Sequence, residues 1–92
     1  MDFHEPFLHE LRKLEYLFKE LDSAITFLDI ADASAAQQVV QRNHRHAREA
    51  YESALGILAA VSPDAAKQKA IDDKLELVKE RLATRSSSGF VL

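Results

Sequence analysis

The first third of the chain carries one regular stripe of apolar residues. The gaps within it alternate between four and three positions, which keeps successive side chains on one face of an α-helix. The stripe consists of Phe7, Leu11, Leu14, Phe18, Leu21, Ile25 and Leu28. This spacing predicts a long helix, at about 6–31, with one face buried against other helices.

Two later segments repeat the pattern. The second stripe consists of Val40, His44, Ala47, Tyr51, Ala54, Leu58 and Val61, and the third of Ile71, Leu75, Val78 and Leu82. The chain holds only two glycines and two prolines, and most of its other residues are good helix formers. We therefore predict two more helices, at about 35–61 and 63–85.

Signals for helix ends lie between the stripes. Ser62, Pro63 and Asp64 supply a capping hydroxyl, a proline suited to the first helical position and an acid near the positive helix end. Ser34–Gln37 has the spacing of a capping box. In one continuous helix the buried stripe would rotate by roughly 100° after residue 28, which favours a turn near 31–35. The alternative is one long kinked helix that buries its stripe against a second chain.

Short loops force neighbouring helices to run antiparallel. The predicted fold is therefore an all-α antiparallel three-helix bundle that forms a single domain, 1–85, with a flexible C-terminal tail, 86–92. Serines and a glycine interrupt the helical pattern in this tail, and Phe90, Val91 and Leu92 form an apolar tip.

The charges are unevenly distributed. The net charge is −3, and residues 1–32 hold eight acidic and three basic side chains. We expect this acidic segment to pair with the second helix, which would place Arg45 and Arg48 near Glu20 and Asp22. The chain has no cysteine, no apolar run that could cross a bilayer and no signal-peptide pattern. The expected location is the cytoplasm.

Candidate catalytic chemistry is sparse. A di-iron bundle needs Glu-x-x-His motifs, and none occurs among His4, His9, His44 and His46. The sequence has no nucleophile elbow, phosphate loop or dinucleotide fingerprint. We therefore expect no enzyme, metal, cofactor or small-molecule substrate. His44 interrupts the second stripe, either as a hydrogen-bonded boundary residue or as a group that responds to pH.

Several apolar residues lie off the predicted buried faces. Tyr16, Phe27 and Ile30 fall about 140–180° from the first stripe, and Leu77 lies off the third in the same way. Aligned apolar residues on a surface indicate a contact site. We predict that these four residues bind a partner, either a second copy or another protein. Partial exposure, or cover from the C-terminal tail, is the alternative.

Part of the chain resembles known helical hairpins. Ala47, Tyr51, Ala54 and Leu55 have the spacing of the second helix of a tetratricopeptide repeat. The segment 47–85 also resembles the last two helices of microtubule-interacting-and-transport domains, through Tyr51, Leu55, Leu58, Lys74 and Arg81. Both families bind protein segments in helical grooves, so the resemblance implies a peptide-binding hairpin. The whole chain otherwise resembles the many short helical proteins of bacteria.

The leading functional hypothesis is a non-catalytic helical bundle that acts through protein–protein contact, as a homodimer or with another protein. A second hypothesis is a peptide-binding adaptor with a groove between helices two and three, lined by Ala50, Tyr51, Ala54 and Leu75. A third is nucleic-acid binding through the exposed stripe of Arg42, Arg45 and Arg48, although an acidic chain is not typical of that class.

Overall fold

A computed structural model describes residues 5–91, and the side chains of residues 8–84. Its elements are α1 (Glu5–Ala33), α2 (Gln37–Leu58) and α3 (Ala65–Val91). No strand occurs in residues 5–91, so the predicted all-α class with three helices is confirmed. Residues 1–4 and Leu92 lie outside the described residues.

Contacts between the helices define an antiparallel topology. The Ser62 backbone N–H donates a 2.6 Å hydrogen bond to Glu10 Oε2, and the rings of Phe27 and His46 lie 5.3 Å apart. Low residue numbers in α1 therefore face high ones near the end of α2. Asp22 of α1 pairs with Lys74 of α3. Helices α1 and α3 run parallel to each other, because each is antiparallel to α2.

The α1–α2 contact is built from small side chains. Two alanines of α1 and three of α2 are buried: Ala24, Ala31, Ala47, Ala50 and Ala54. Helix separation depends on the side chains at the contact, and here α1 and α2 approach each other more closely than α3 approaches either. Leucines on α1 fill the space that remains towards α3.

The buried stripes are displaced from the predicted ones in the first two helices. In α1 the buried positions are Leu14, Leu17, Leu21, Ala24, Leu28 and Ala31, whereas Leu11, Phe18 and Ile25 are only half-buried. In α2 they are Asn43, Ala47, Ala50 and Ala54. The shift follows from the alanines, because the closest helix–helix approach centres on the smallest side chains. In α3 the prediction holds, with Leu75 half-buried and the other three residues buried.

The first loop confirms the predicted turn, and the single long helix is excluded. Residues 34–36 separate α1 from α2. The predicted capping box is wrong, because Ser34 Oγ accepts a 3.1 Å hydrogen bond from the backbone N–H of Ala36. Ala36 itself is the N-cap of α2 and supplies no side-chain hydrogen bond. Helix α2 consequently begins at Gln37, two residues later than predicted.

The second loop is capped by a different residue from the one predicted. Asp64 Oδ1 accepts a 2.8 Å hydrogen bond from the Lys67 backbone N–H, so Asp64 occupies the capping role assigned to Ser62. That hydrogen bond, together with the nearby Lys67 ammonium, lowers the pKa of the Asp64 carboxyl below its ordinary value. With Asp64 as the cap, Pro63 lies before the helix. Helix α3 therefore begins at Ala65.

Helix α3 continues past the predicted end near residue 85 and reaches Val91. The backbone of 86–91 is therefore part of this helix. The side chains of the predicted apolar tip, Phe90, Val91 and Leu92, lie outside the described residues, and the flexibility of the tail, 86–92, stays a prediction.

The acidic residues of α1 pair with α3 and not with the arginines of α2. Lys74 Nζ lies 2.8 Å from Asp22 Oδ1. Arg81 lies 3.0 Å from Asp29 and 2.7 Å from Asp32. These hydrogen bonds, that to Asp32 foremost, raise the pKa of Arg81. The predicted partners Arg45 and Arg48 form no ion pair among residues 8–84, so the expected α1–α2 charge pairing is wrong.

Candidate interaction surfaces

An exposed apolar stripe runs along α1, on the side that faces away from α3. Tyr16 is 54% exposed and Ile30 is 43% exposed. They are fourteen residues apart, so they share one face of the helix. Asp22 and Asp29, which contact α3, lie roughly 120–140° round the helix axis from Tyr16 and roughly 80–100° from Ile30. Tyr16 and Ile30 therefore flank the α1–α2 contact.

Phe27 belongs to the same stripe but is less exposed than the sequence suggested. It is half-buried and packs against the core cluster that contains Ala24 and Leu28. Its ring also lies at a 42° tilt to the His46 ring. Phe27 therefore serves partly as the edge of the core, and only its outer part is available to a partner.

Leu77 is exposed, at 44%, but it lies apart from Tyr16 and Ile30. It is three residues after Lys74 and four before Arg81, both of which contact α1. This spacing places Leu77 roughly 40–60° round the α3 axis from those two cations, on the side away from α1. The four predicted partner-binding residues thus divide between two surfaces, with Leu77 at the outer edge of the α1–α3 contact.

The predicted peptide groove between α2 and α3 is not open. Ala54 is fully buried, and the leucines of α1, including Leu17 and Leu21, pack into the same cluster. Helix α1 therefore fills the space that a peptide would need beside Ala54 and Leu75.

A smaller cleft remains on the outer surface of the α2–α3 contact. It has a volume of about 330 Å³. Its walls are Arg48, Tyr51, Glu52, Leu55, Lys79, Leu82 and Ala83. Leu55 is 40% exposed, so the cleft offers apolar surface with charged groups at its rim. In the sequence, Leu55 is marked only by the resemblance to helical hairpins.

The arginine stripe of α2 is exposed as predicted. Arg42, Arg45 and Arg48 are all exposed, and none forms an ion pair among residues 8–84. Their spacing of three moves each arginine about 60° round the helix from the last. The stripe therefore curves towards the α2–α3 cleft and meets it at Arg48.

The polar residues of α2 sit differently from expectation. His44 is half-buried at the edge of the core, whereas its neighbour Asn43 is buried and donates a 2.9 Å hydrogen bond to the Val39 carbonyl. His46 Nδ1 lies 3.5 Å from Glu49 Oε1. The sequence singled out His44, but the buried polar residue is Asn43, because the stripe is displaced by one position.

The described residues contain no group of three or more histidine, cysteine or acidic side chains placed to hold a metal ion. No described helix is both long and apolar enough to cross a membrane.

The chain thus has the fold of a three-helix bundle with exposed surfaces on α1 and beside α3. Compared with models of protein families, with curated proteins and with solved structures, it gives no significant match.

Proposed function

We propose that this protein is a non-catalytic helical module that self-associates through the α1 face carrying Tyr16, Phe27 and Ile30. The observation that carries the proposal is the exposure of Tyr16 and Ile30 on one face of α1, two heptads apart. Isolated exposed apolar residues are common, but apolar residues aligned on one helix face indicate a contact surface that association would bury.

The exposed surface is large enough for such a contact. The chain exposes 6418 Å², and a standard interface takes about 800 Å² from each partner. A second copy could therefore bind without disturbing the bundle.

The proposal includes the cytoplasm as the site of action, which the lack of cysteine supports, because cytoplasmic proteins seldom rely on disulfides. Leu77 is a partner-contact residue on a second surface, and its role is tested separately below.

Self-association is tested by measuring molar mass with light scattering over a range of protein concentrations. Wild-type protein is expected to form a dimer. The double variant Tyr16→Glu and Ile30→Glu is expected to remain monomeric, because it places charges where apolar surface would be buried. Both residues are exposed, so the helical content should not change. Phe27→Glu is a poorer test, since Phe27 also packs against the core.

Leu55→Glu serves as the matched control, because Leu55 is equally exposed but lies in the α2–α3 cleft. It should leave the molar mass unchanged. Leu77→Glu, measured beside it, shows whether the outer edge of the α1–α3 contact also takes part. A wild-type protein that stays monomeric at the highest concentration would overturn the proposed self-association.

A further inference from the structure

Among residues 8–84, the arginines of α2 form no ion pair with an acidic side chain. The first twelve residues of α2, 37–48, contain three arginines and no acid. The nearby acids of α1 are already engaged: Asp29 and Asp32 pair with Arg81 on α3. The bundle therefore satisfies its own α1–α3 contact and leaves the positive charge of α2 exposed.

The free cations meet apolar surface at the α2–α3 cleft. Arg48 stands on the α2 wall, Lys79 stands on the α3 wall, and neither forms an ion pair among residues 8–84. Tyr51 and Leu55 line the same cleft. A ligand that complements this lining presents a large apolar group together with negative charge.

One acid, Glu52, lines the cleft among the described residues, and it is exposed on the α2 wall. Two cations, Arg48 and Lys79, line the same cleft. The lining residues therefore carry more positive than negative charge.

We infer that the α2–α3 cleft binds an acidic protein segment, with one large apolar side chain seated on Tyr51 and Leu55. The carboxylates of this segment lie against Arg48 and Lys79. Complementary charges around an apolar contact attract the segment to the cleft and fix the position in which it binds. The inference is independent of the proposed self-association, which uses the far side of α1.

A protein segment fits this surface better than a nucleic acid does. The chain has a net charge of −3, which disfavours a long polyanion. A phosphate backbone would also leave the apolar floor of the cleft, formed by Tyr51 and Leu55, without an apolar contact. The volume of about 330 Å³ is at the small end of ligand sites, which suits one anchoring side chain.

The test is selection from a displayed library of random short peptides on wild-type protein, with counter-selection on Leu55→Glu. Peptides in which aspartate or glutamate flanks a large apolar residue are expected to be enriched. In fluorescence anisotropy with the enriched peptide, Leu55→Glu should weaken binding by about tenfold or more, as for a central apolar contact. Added salt should also weaken it.

Charge exchange provides a second measurement that does not depend on Leu55. The double variant Arg48→Glu and Lys79→Glu should lose the acidic peptide and gain affinity for a version whose acids are replaced by lysine. Arg12→Glu is the matched control, because Arg12 is an exposed arginine of α1 far from the cleft. It should bind the acidic peptide like wild type.

Three results would overturn the inference. The first is no enrichment of acidic peptides over the Leu55→Glu counter-selection. The second is a single-stranded oligonucleotide that binds wild type more tightly than the peptide does, which would assign the surface to nucleic acid. The third is a fall in molar mass caused by Leu55→Glu, which would show that a second copy occupies the cleft. A failure of the Tyr16 and Ile30 test would leave this inference unaffected.

Discussion

The two contacts made by α1 are built in different ways. Its contact with α2 consists largely of buried alanines, so the two helices lie close together. Its contact with α3 consists of larger side chains, such as Ile71 and Val78. Ion pairs from Lys74 and Arg81 surround that contact. One helix therefore packs against two neighbours at different distances.

This difference teaches where each contact is vulnerable. A close contact between alanines has no room for added atoms, so it is sensitive to enlargement. A contact made by large apolar side chains is sensitive to their removal, because a cavity remains. The ion pairs of α3 are partly exposed and should contribute less than either kind of packing.

The largest expected effect comes from Ile71→Ala. Ile71 is fully buried among leucines of α1 and Ala54 of α2, so truncation should lower the free energy of unfolding by about 2–5 kcal/mol. Chemical denaturation followed by circular dichroism measures this loss. Leu77→Ala, at an exposed position of the same helix, should change stability by less than about 0.5 kcal/mol. Equal losses in the two variants would contradict the assigned core.

The next effect comes from Ala47→Leu. Ala47 is fully buried at the α1–α2 contact, and the added side chain should force the helices apart at a cost of about 1–3 kcal/mol. Ala70→Leu is the control, since Ala70 is exposed on α3. If Ala47→Leu were as stable as Ala70→Leu, the close approach of α1 and α2 would be wrong.

A smaller effect is expected from Arg81→Gln, which removes the cation shared by Asp29 and Asp32. The carboxylates are more than half exposed, so the loss should be below about 1 kcal/mol and should diminish at high salt. Amide hydrogen exchange sharpens the comparison: protection should fall in α3 while the alanine contact of α1 and α2 stays protected. A uniform fall would show that the three helices open as one unit.

The smallest effect concerns the acid limb of stability. The hydrogen bond from Lys67 lowers the folded-state pKa of Asp64 below its ordinary value of 3.8. The stabilisation from the ionised Asp64 carboxylate is therefore fully present above pH 3.8 and is lost as the pH falls through the lowered pKa. Asp64→Asn retains a capping side chain but does not titrate. Its stability should depend less steeply on pH in that acidic range than wild type, and parallel profiles would contradict the cap.

The sequence predicted the candidate surfaces unevenly. It marked Tyr16, Ile30 and Leu77 as apolar residues off the buried faces, and all three are exposed. The sequence could not predict how deeply the side chain of Phe27 is buried, because that depends on how closely α2 approaches α1 and on the position of His46. It predicted a groove between α2 and α3 and named Tyr51 in it, but it placed the groove beside Ala54, which α1 covers, whereas the cleft lies on the outer surface with Leu55.

The sequence by itself determined the class and the number of elements. Apolar spacing of three and four, good helix formers and two breaks are enough for three helices, because each is a local property of the chain. The sequence also determined which face of α3 is buried, because large aliphatic residues recur along that face at helical spacing.

Only the tertiary structure decided which residues centre the α1–α2 contact and which charges pair. An alanine on a helix is ambiguous in sequence, since its small side chain suits either a surface or a close contact. Likewise, the acids of α1 could have met the arginines of α2 or the cations of α3. Packing resolved both choices together: the alanines brought α2 close to α1, and the side of α1 that carries Asp22 and Asp29 was then left facing Lys74 and Arg81.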